Sequence, residues 1–197
     1  MKDVLTFWLD KGADGFRVDA INHLFEVEDL RDEPLSGWTD DPLSYAYTEK
    51  HYTKDLDEMY DMVYQWRELL DEYKKQKGGE TRIMMTEAYV NTTFFNKFFG
   101  TPDGSRLGSQ MPFNFVLIER LRGHSTASDF KNVIDEVIDN MPNNKSTNWV
   151  IGNHDQPRVG SRYGAEKIDG LLALVMTLPG TAVVYMVSWD GHRSLGV

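Results

Sequence analysis

The stretch GFRVDA, residues 15–20, is a short apolar run that ends in an arginine and an aspartate. Val18 separates Arg17 from Asp19, so both side chains point to one face if the run is a strand. A guanidinium beside a carboxylate keeps that carboxylate ionised and fixes its direction. A charged carboxylate at a strand end suits a covalent nucleophile, although a structural ion pair would use the same two residues.

Two further apolar runs end in acidic residues. Residues 82–88 read RIMMTEA and contain Glu87, and residues 148–155 read NWVIGNHD and end in His154 and Asp155. Helical patterns lie between the runs, and this alternation is typical of parallel α/β proteins. Active sites of closed barrels lie at the C-terminal ends of the strands. We therefore expect the acids to converge on one pocket.

In this order and spacing, the three motifs resemble those of the α-amylase family of glycoside hydrolases, and within it the insect maltases and α-glucosidases. The stretches DEPL at 32–35 and TDDP at 39–42 support the narrower match. The resemblance extends to about Tyr185. It implies an α/β fold, namely an incomplete (β/α)8 TIM barrel with strands four to eight and their intervening helices, over residues 1–187. An atypical tail follows at 188–197.

The resemblance also implies the catalytic roles. Asp19 matches the nucleophile, Glu87 the general acid/base, and Asp155 a third carboxylate that binds sugar hydroxyls and helps to stabilise the transition state. Arg17 and His154 match residues that contact the nucleophile and the sugar. Glu87 has no adjacent cation in the sequence, so we expect burial to raise its pKa toward that of a proton donor.

Two more residues are candidates for substrate binding. Ala20 is smaller than the valine that follows the nucleophile in relatives cleaving α-1,6 bonds, and in this respect it resembles enzymes that prefer α-1,4 bonds or sucrose. Arg158 is placed to line the leaving-group subsite, and a surface salt bridge is the competing interpretation.

The function implied is an α-glucosidase that hydrolyses terminal α-1,4 bonds of maltose, sucrose or short oligosaccharides with retention, through two carboxylates. The alternative is a non-catalytic relative, such as a heavy subunit of amino-acid transporters or a receptor-like maltase. Strands one to three of the family's barrel have no counterpart here, and the sequence departs from the family after Tyr185. We therefore expect a fragment, whose own activity is a separate question from that of the complete enzyme.

Asp19, His154 and Asp155 are also conceivable metal ligands. The chain has no His-x-His motif, no His-Glu-x-x-His motif and no cysteine, so we assign no metal and no cofactor to it. Calcium sites of the family would lie in regions outside this chain. His154 could instead be a buried, hydrogen-bonded histidine of the core.

Composition agrees with a soluble globular domain, with 41% hydrophobic and 26% charged residues. The net charge of −10 argues against a nucleic-acid partner and suits a neutral oligosaccharide substrate. The chain starts without a signal-peptide pattern. By resemblance, the complete protein would be secreted or at the cell surface, and any membrane anchor would lie outside this chain. Asn91 and Asn144 begin glycosylation sequons.

Hydrophobic periodicity predicts a helix at 2–11, with Val4, Leu5 and Trp8 on its apolar face, and another at 55–77. A long polar loop is expected at 22–54. A further amphipathic helix, which contains Phe130 and Ile134 among its apolar positions, is predicted with Ser128 as its cap. The uncharged stretch 171–187 favours a helix, a turn at Pro179-Gly180 and a strand over a membrane span.

Overall fold

The computed structural model describes residues 1–185. This part of the chain divides into two compact units, a first unit of Met1–Gln110 and a second unit that begins at Met111. The predicted tail at 188–197 lies outside the described residues, and the single barrel domain over 1–187 stays a prediction.

The first unit is built around a β–α–β crossover of two parallel strands. Arg17 lies opposite Met85 in their register, which runs from Gly15↔Ile83 to Val18↔Thr86. The elements of the unit are α1 (Lys2–Asp10), β1 (Gly15–Val18), α2 (Glu58–Lys77), β2 (Ile83–Thr86) and α3 (Thr92–Lys97), with short 3₁₀ turns at Ile21–His23 and Tyr45–Tyr47.

The helices of this unit bury one face of the strand pair. Met84 packs in a core with residues of α1 and α2, and Phe16 and Val18 pack against the same core. Alternation along β1 therefore directs Arg17 away from the helices. The predicted apolar face of α1 was only partly right, because Leu5 is buried whereas Val4 and Trp8 are half exposed.

The predicted long loop between β1 and α2 is present and is tied together at its base. The Glu33 carboxylate accepts hydrogen bonds from the backbone N–H groups of His51 and Tyr52 and from the Thr53 hydroxyl, each at 2.8 Å. Leu35 and Thr48 form an antiparallel bridge further out. These contacts fold the loop back on itself before α2 begins at Glu58, three residues later than predicted.

The second unit repeats the parallel arrangement with a second strand pair. Its elements are β3 (Met111–Pro112), α4 (Val116–Glu119), α5 (Ala127–Asp139), β4 (Asn148–Val150), α6 (Val159–Tyr163), α7 (Ile168–Thr177) and β5 (Thr181–Val183), with a 3₁₀ turn at Ala165–Lys167. Strands β4 and β5 are parallel, with Val150 opposite Val183.

Trp149 lies at the centre of the second core, fully buried, and its indole N–H donates to the Pro179 carbonyl at 2.9 Å. The predicted cap of α5 was wrong. Thr126 caps the helix, in a reciprocal capping box with Asp129, and Ser128 lies inside the first turn.

The uncharged stretch near the end of the described chain forms α7, a turn and β5, as predicted. Helix α7 has 10 residues. Among the helices of residues 1–185, none combines the length and the apolar character needed to cross a membrane.

Candidate active site

Arg17 bridges the two predicted catalytic carboxylates of the first unit. Its Nη1 lies 2.6 Å from Asp19 Oδ1, and its Nη2 lies 2.8 Å from Glu87 Oε2. The predicted pairing of Arg17 with Asp19 is confirmed. The contact of Arg17 with Glu87 was not predicted, because no cation is adjacent to Glu87 in the sequence. The strand register places Arg17 opposite Met85, two residues before Glu87 and on the same face.

The backbone fixes Glu87 just beyond the ends of the two strands. Glu87 N–H donates to the Val18 carbonyl at 2.9 Å, and the Glu87 carbonyl accepts from Ile21 N–H at 3.0 Å. Ala20 adopts a left-handed conformation, with φ 41°, and donates its N–H to Glu87 Oε2 at 3.2 Å. The contact of Ala20 is thus made by its backbone, and its predicted contact with the sugar stays a prediction.

The two carboxylates have different environments. The Glu87 side chain is 8% exposed and the Asp19 side chain is 70% exposed. Burial raises the pKa of Glu87, and a hydrogen bond with Asp19 raises it further, whereas the Ala20 N–H and the Arg17 charge lower it. The pKa is raised on balance, so Glu87 is suited to hold a proton while Asp19 remains accessible.

In the second unit, His154 and Asp155 lie in the loop after β4, which ends at Val150. His154 Nε2 lies 3.3 Å from Asp155 Oδ1, and Asp155 N–H donates to Asn153 Oδ1 at 3.1 Å. The His154 side chain is 55% exposed, so the interpretation of His154 as a buried core histidine was wrong. Both side chains can reach a ligand from solvent.

Arg158 lies over the aromatic ring of Tyr185. Its guanidinium carbon lies 4.9 Å from the centroid of the Tyr185 ring, and its Nη1 donates a long hydrogen bond of 3.4 Å to the Asn153 carbonyl. No carboxylate within residues 1–185 pairs with Arg158, so the salt-bridge interpretation finds no support there. The sequence had marked Tyr185 only as the end of a strand, because its contacts involve residues distant in the chain.

The metal alternative predicted a cluster of Asp19, His154 and Asp155. In the described part of the chain, no group of three or more Asp, Glu or His side chains is arranged to hold a metal ion.

The two sequons lie in exposed positions. Asn144 lies in a turn closed by Lys145 N–H to the Pro142 carbonyl, with a left-handed φ of 61°. Asn91 is the N-cap of α3, where its side-chain oxygen accepts the N–H of Phe94 at 3.2 Å. Glycosylation at either asparagine stays a prediction.

Comparison with known proteins shows similarity over almost the whole chain. Residues 1–188 match the model of the alpha amylase catalytic domain. Maltase 1 of Drosophila virilis is 46% identical over 94% of this chain and 29% of its own length. A salivary alpha-glucosidase of Anopheles gambiae is 47% identical over 94% of this chain and 32% of its own length. The chain thus spans about a third of the curated relatives it matches.

A solved structure shares the fold. An alpha-glucosyl transfer enzyme, XgtA, superposes with a TM-score of 0.73 at 27% identity, covering 95% of this chain and 35% of that one. The parallel β–α–β units described above are part of a (β/α)8 barrel architecture, as the catalytic-domain match implies. The chain belongs to the alpha-amylase family and lies within its catalytic domain.

Proposed function

We propose that the protein carrying this sequence is a retaining α-glucosidase of the maltase type, acting on terminal α-1,4-glucosidic bonds of maltose, sucrose or short oligosaccharides. One observation carries the proposal: a single guanidinium, that of Arg17, holds an exposed Asp19 and a buried Glu87 side by side. Retention requires two carboxyl groups roughly 5–5.5 Å apart, one ionised and one protonated. Because both carboxyl groups contact the same guanidinium, they lie close together, as retention requires. Inversion would need a wider gap that admits a water molecule between Asp19 and Glu87.

In the first step, an Asp19 carboxylate oxygen attacks the anomeric carbon, and the bond from that carbon to the glycosidic oxygen breaks. Glu87 gives its proton to the departing oxygen, so the leaving sugar is released neutral. The product is a glucosyl ester of Asp19. Arg17 gains a stronger ion pair with Glu87 as that carboxyl becomes anionic, which stabilises the charge developing there.

In the second step, the ionised Glu87 takes a proton from water, and the oxygen of that water attacks the anomeric carbon of the ester. The bond to Asp19 breaks, glucose leaves with its original anomeric configuration, and both carboxyl groups return to their starting states. The raised pKa of Glu87 favours its reprotonation between turnovers.

The remaining assignments rest on resemblance. In our proposal β1, β2, β4 and β5 correspond to strands four, five, seven and eight of the family's barrel. Asp155 and His154 contact sugar hydroxyls, Arg158 faces the leaving-group sugar, and Ala20 leaves space beside the nucleophile. We propose that the complete protein is secreted or at the cell surface, and the name of the salivary relative supports secretion. We propose Asn144 as the glycan acceptor because it lies in an exposed turn.

The test is covalent trapping in the native polypeptide that carries this sequence. In a glucosyl fluoride with a second fluorine on the sugar ring, that fluorine slows both steps, whereas the fluoride leaving group keeps the first step fast. Peptide mass spectrometry should therefore find a fluoroglucosyl ester on Asp19. Asp19→Asn should lower the rate of maltose hydrolysis at least about a thousandfold. With 4-nitrophenyl α-glucoside, whose leaving group departs as an anion without a proton from Glu87, Glu87→Ala should release α-glucosyl azide when azide replaces water, because azide needs no general base.

The chain offers a matched control for Asp19. Asp29 and Arg31 form an Arg–Asp pair with the same two-residue spacing and the same 2.6 Å contact, but on an exposed loop. Asp29→Asn should leave turnover unchanged. Unaltered hydrolysis in Asp19→Asn, or an adduct on a residue other than Asp19, would contradict the assignment of Asp19 as the nucleophile. No hydrolysis of maltose by the unmodified protein would favour the non-catalytic alternative.

A further inference from the structure

Tyr185 contacts two of the proposed substrate-binding residues at once. Its ring centroid lies 4.9 Å from the Arg158 guanidinium carbon and 6.3 Å from the centroid of the His154 ring, which is tilted by 43°. No role is implied for Tyr185 by the motifs that carry the family resemblance. The Tyr185 ring nevertheless contacts both His154, which precedes Asp155, and Arg158, which follows it.

The strand register places the Tyr185 ring at this point. Val150 of β4 is opposite Val183 of β5, so Tyr185 is level with Gly152, two residues beyond each strand. Gly152 opens the loop that carries His154, Asp155 and Arg158. Because β4 and β5 are parallel, both strands end at the same edge of the sheet. The Tyr185 ring, which follows β5, therefore lies beside the loop that follows β4.

The contact between Arg158 and Tyr185 is suited to fixing the direction of the Arg158 side chain, and not only to packing. A planar guanidinium stacked on an aromatic face loses little freedom when it forms further hydrogen bonds. A cation–π contact of this kind changes an equilibrium by a factor of roughly 2 to 30, depending on solvent exposure. Arg158 has only one other contact with an acceptor in the described chain, the long one to Asn153. Most of its donors therefore remain available for a polyhydroxylated ligand.

We propose that Tyr185 is a positioning residue that orients Arg158, and with it His154, toward the hydroxyl groups of the leaving-group sugar. This inference rests on the proposed function, which it deepens by assigning leaving-group selectivity to the Arg158–Tyr185 stack. A substrate whose leaving group is a sugar depends on the stack. A substrate whose leaving group offers no hydroxyls to Arg158 does not.

The experiment compares maltose with 4-nitrophenyl α-glucoside in the native polypeptide carrying this sequence. Tyr185→Leu should raise KM for maltose about fivefold or more, the factor expected from losing a cation–π contact. KM for the aryl glucoside, and kcat for both substrates, should change less than about twofold. Tyr185→Phe keeps the ring and should restore the maltose KM to within about twofold of the original.

A double-mutant cycle separates positioning from general stability. Arg158→Ala and Tyr185→Leu should not be additive for maltose, because each alone removes the same stack. Arg158→Lys keeps the charge but not the planar stack and should resemble Tyr185→Leu, which provides a second variant should Tyr185→Leu fold poorly. The matched control is Tyr163, whose ring lies under Arg162 at the same 4.9 Å. Tyr163→Leu should lower the melting temperature without changing the ratio of the two KM values.

The possible outcomes separate this inference from the proposed function. If the unmodified protein hydrolyses both substrates and Tyr185→Leu affects both KM values equally, the positioning role is overturned and the proposed function stands. Additive effects of Arg158→Ala and Tyr185→Leu would overturn it as well. If the unmodified protein hydrolyses neither substrate, the proposed function and this inference fall together.

Discussion

The backbone N–H of Ala20 points at the side chain of Glu87, with 3.2 Å between Ala20 N and Glu87 Oε2. Ala20 reaches this position through a left-handed backbone conformation that is unusual for a residue with a Cβ atom. The residue directly after the proposed nucleophile thus stabilises the proposed acid/base through its main chain. The conformation has a free-energy cost that can be measured.

Replacing Ala20 should reveal that cost. Ala20→Gly removes the Cβ that disfavours a positive φ and should raise the free energy of unfolding by about 0.5–1 kcal/mol. Ala20→Val adds a β-branched side chain and should lower it by about 1–2 kcal/mol. Urea denaturation followed by circular dichroism measures both. Ala173→Gly in α7, an exposed helical alanine, is the control and should lose about 1 kcal/mol. A loss in Ala20→Gly would contradict the strain argument.

The pKa of Glu87 should govern the alkaline side of the pH–rate profile. A general acid works only while protonated, so kcat/KM should fall as the pH rises through the raised pKa of Glu87. Arg17 lowers that pKa, so Arg17→Gln should shift the alkaline limb to higher pH while also slowing turnover. A profile of kcat/KM for the aryl glucoside tests this.

Arg31→Gln is the control for the pH profile, because Arg31 pairs with Asp29 on the exposed loop. The limb should not move in that variant. A shift to lower pH in Arg17→Gln would contradict the assignment of Glu87 as the titrating acid.

The raised pKa of Glu87 also affects stability. The free energy of unfolding should decrease slightly as the pH rises through that pKa, since the folded chain then carries a charge that burial disfavours.

Much of the site could be predicted because its signals are local. Arg17 and Asp19 share a face through the two-residue period of a strand, and each acid follows its own apolar run. The contact between Arg17 and Glu87 was missed because it depends on the register between strands, which a single run does not encode. Tyr185 was missed for the same reason, since its partners are on the loop after another strand.

Helix boundaries and faces show a different limit. Ser128 and Thr126 are both good capping residues, and only the reciprocal bond from Asp129 distinguishes them. The face of α1 could be predicted only in part, because Val4 and Leu5 are adjacent and both fit a helical stripe. Packing against α2 buries Leu5 and Leu9 and leaves Val4 exposed.

The two candidate caps of α5 can be tested directly. Thr126 Oγ1 accepts the Asp129 N–H at 3.3 Å, and Asp129 Oδ2 accepts the Thr126 N–H at 2.7 Å. Thr126→Ala should lower the free energy of unfolding by about 1 kcal/mol. Ser128→Ala, two residues further on, should leave it unchanged or raise it slightly, because alanine favours helix interiors. Urea denaturation compares the two, and a larger loss in Ser128→Ala would restore the original prediction.

The Glu33 carboxylate should stabilise the folded conformation of the long loop between β1 and α2. Burial raises the pKa of Glu33, but the hydrogen bonds from Tyr52, Thr53 and His51 outweigh it, and the pKa is lowered on balance. The hydrogen bonds to Glu33 are therefore present at neutral pH and are lost as the pH falls through that lowered pKa.

The variant Glu33→Gln tests this role of the carboxylate. One acceptor oxygen becomes an N–H₂ donor that faces a backbone N–H, so trypsin should cleave after Lys50 faster. Mass spectrometry of timed digests measures the rate, and Glu28→Gln, an exposed glutamate of the same loop, should digest as the unmodified chain does. Equal rates in all three proteins would show that the loop is closed by contacts other than the Glu33 carboxylate.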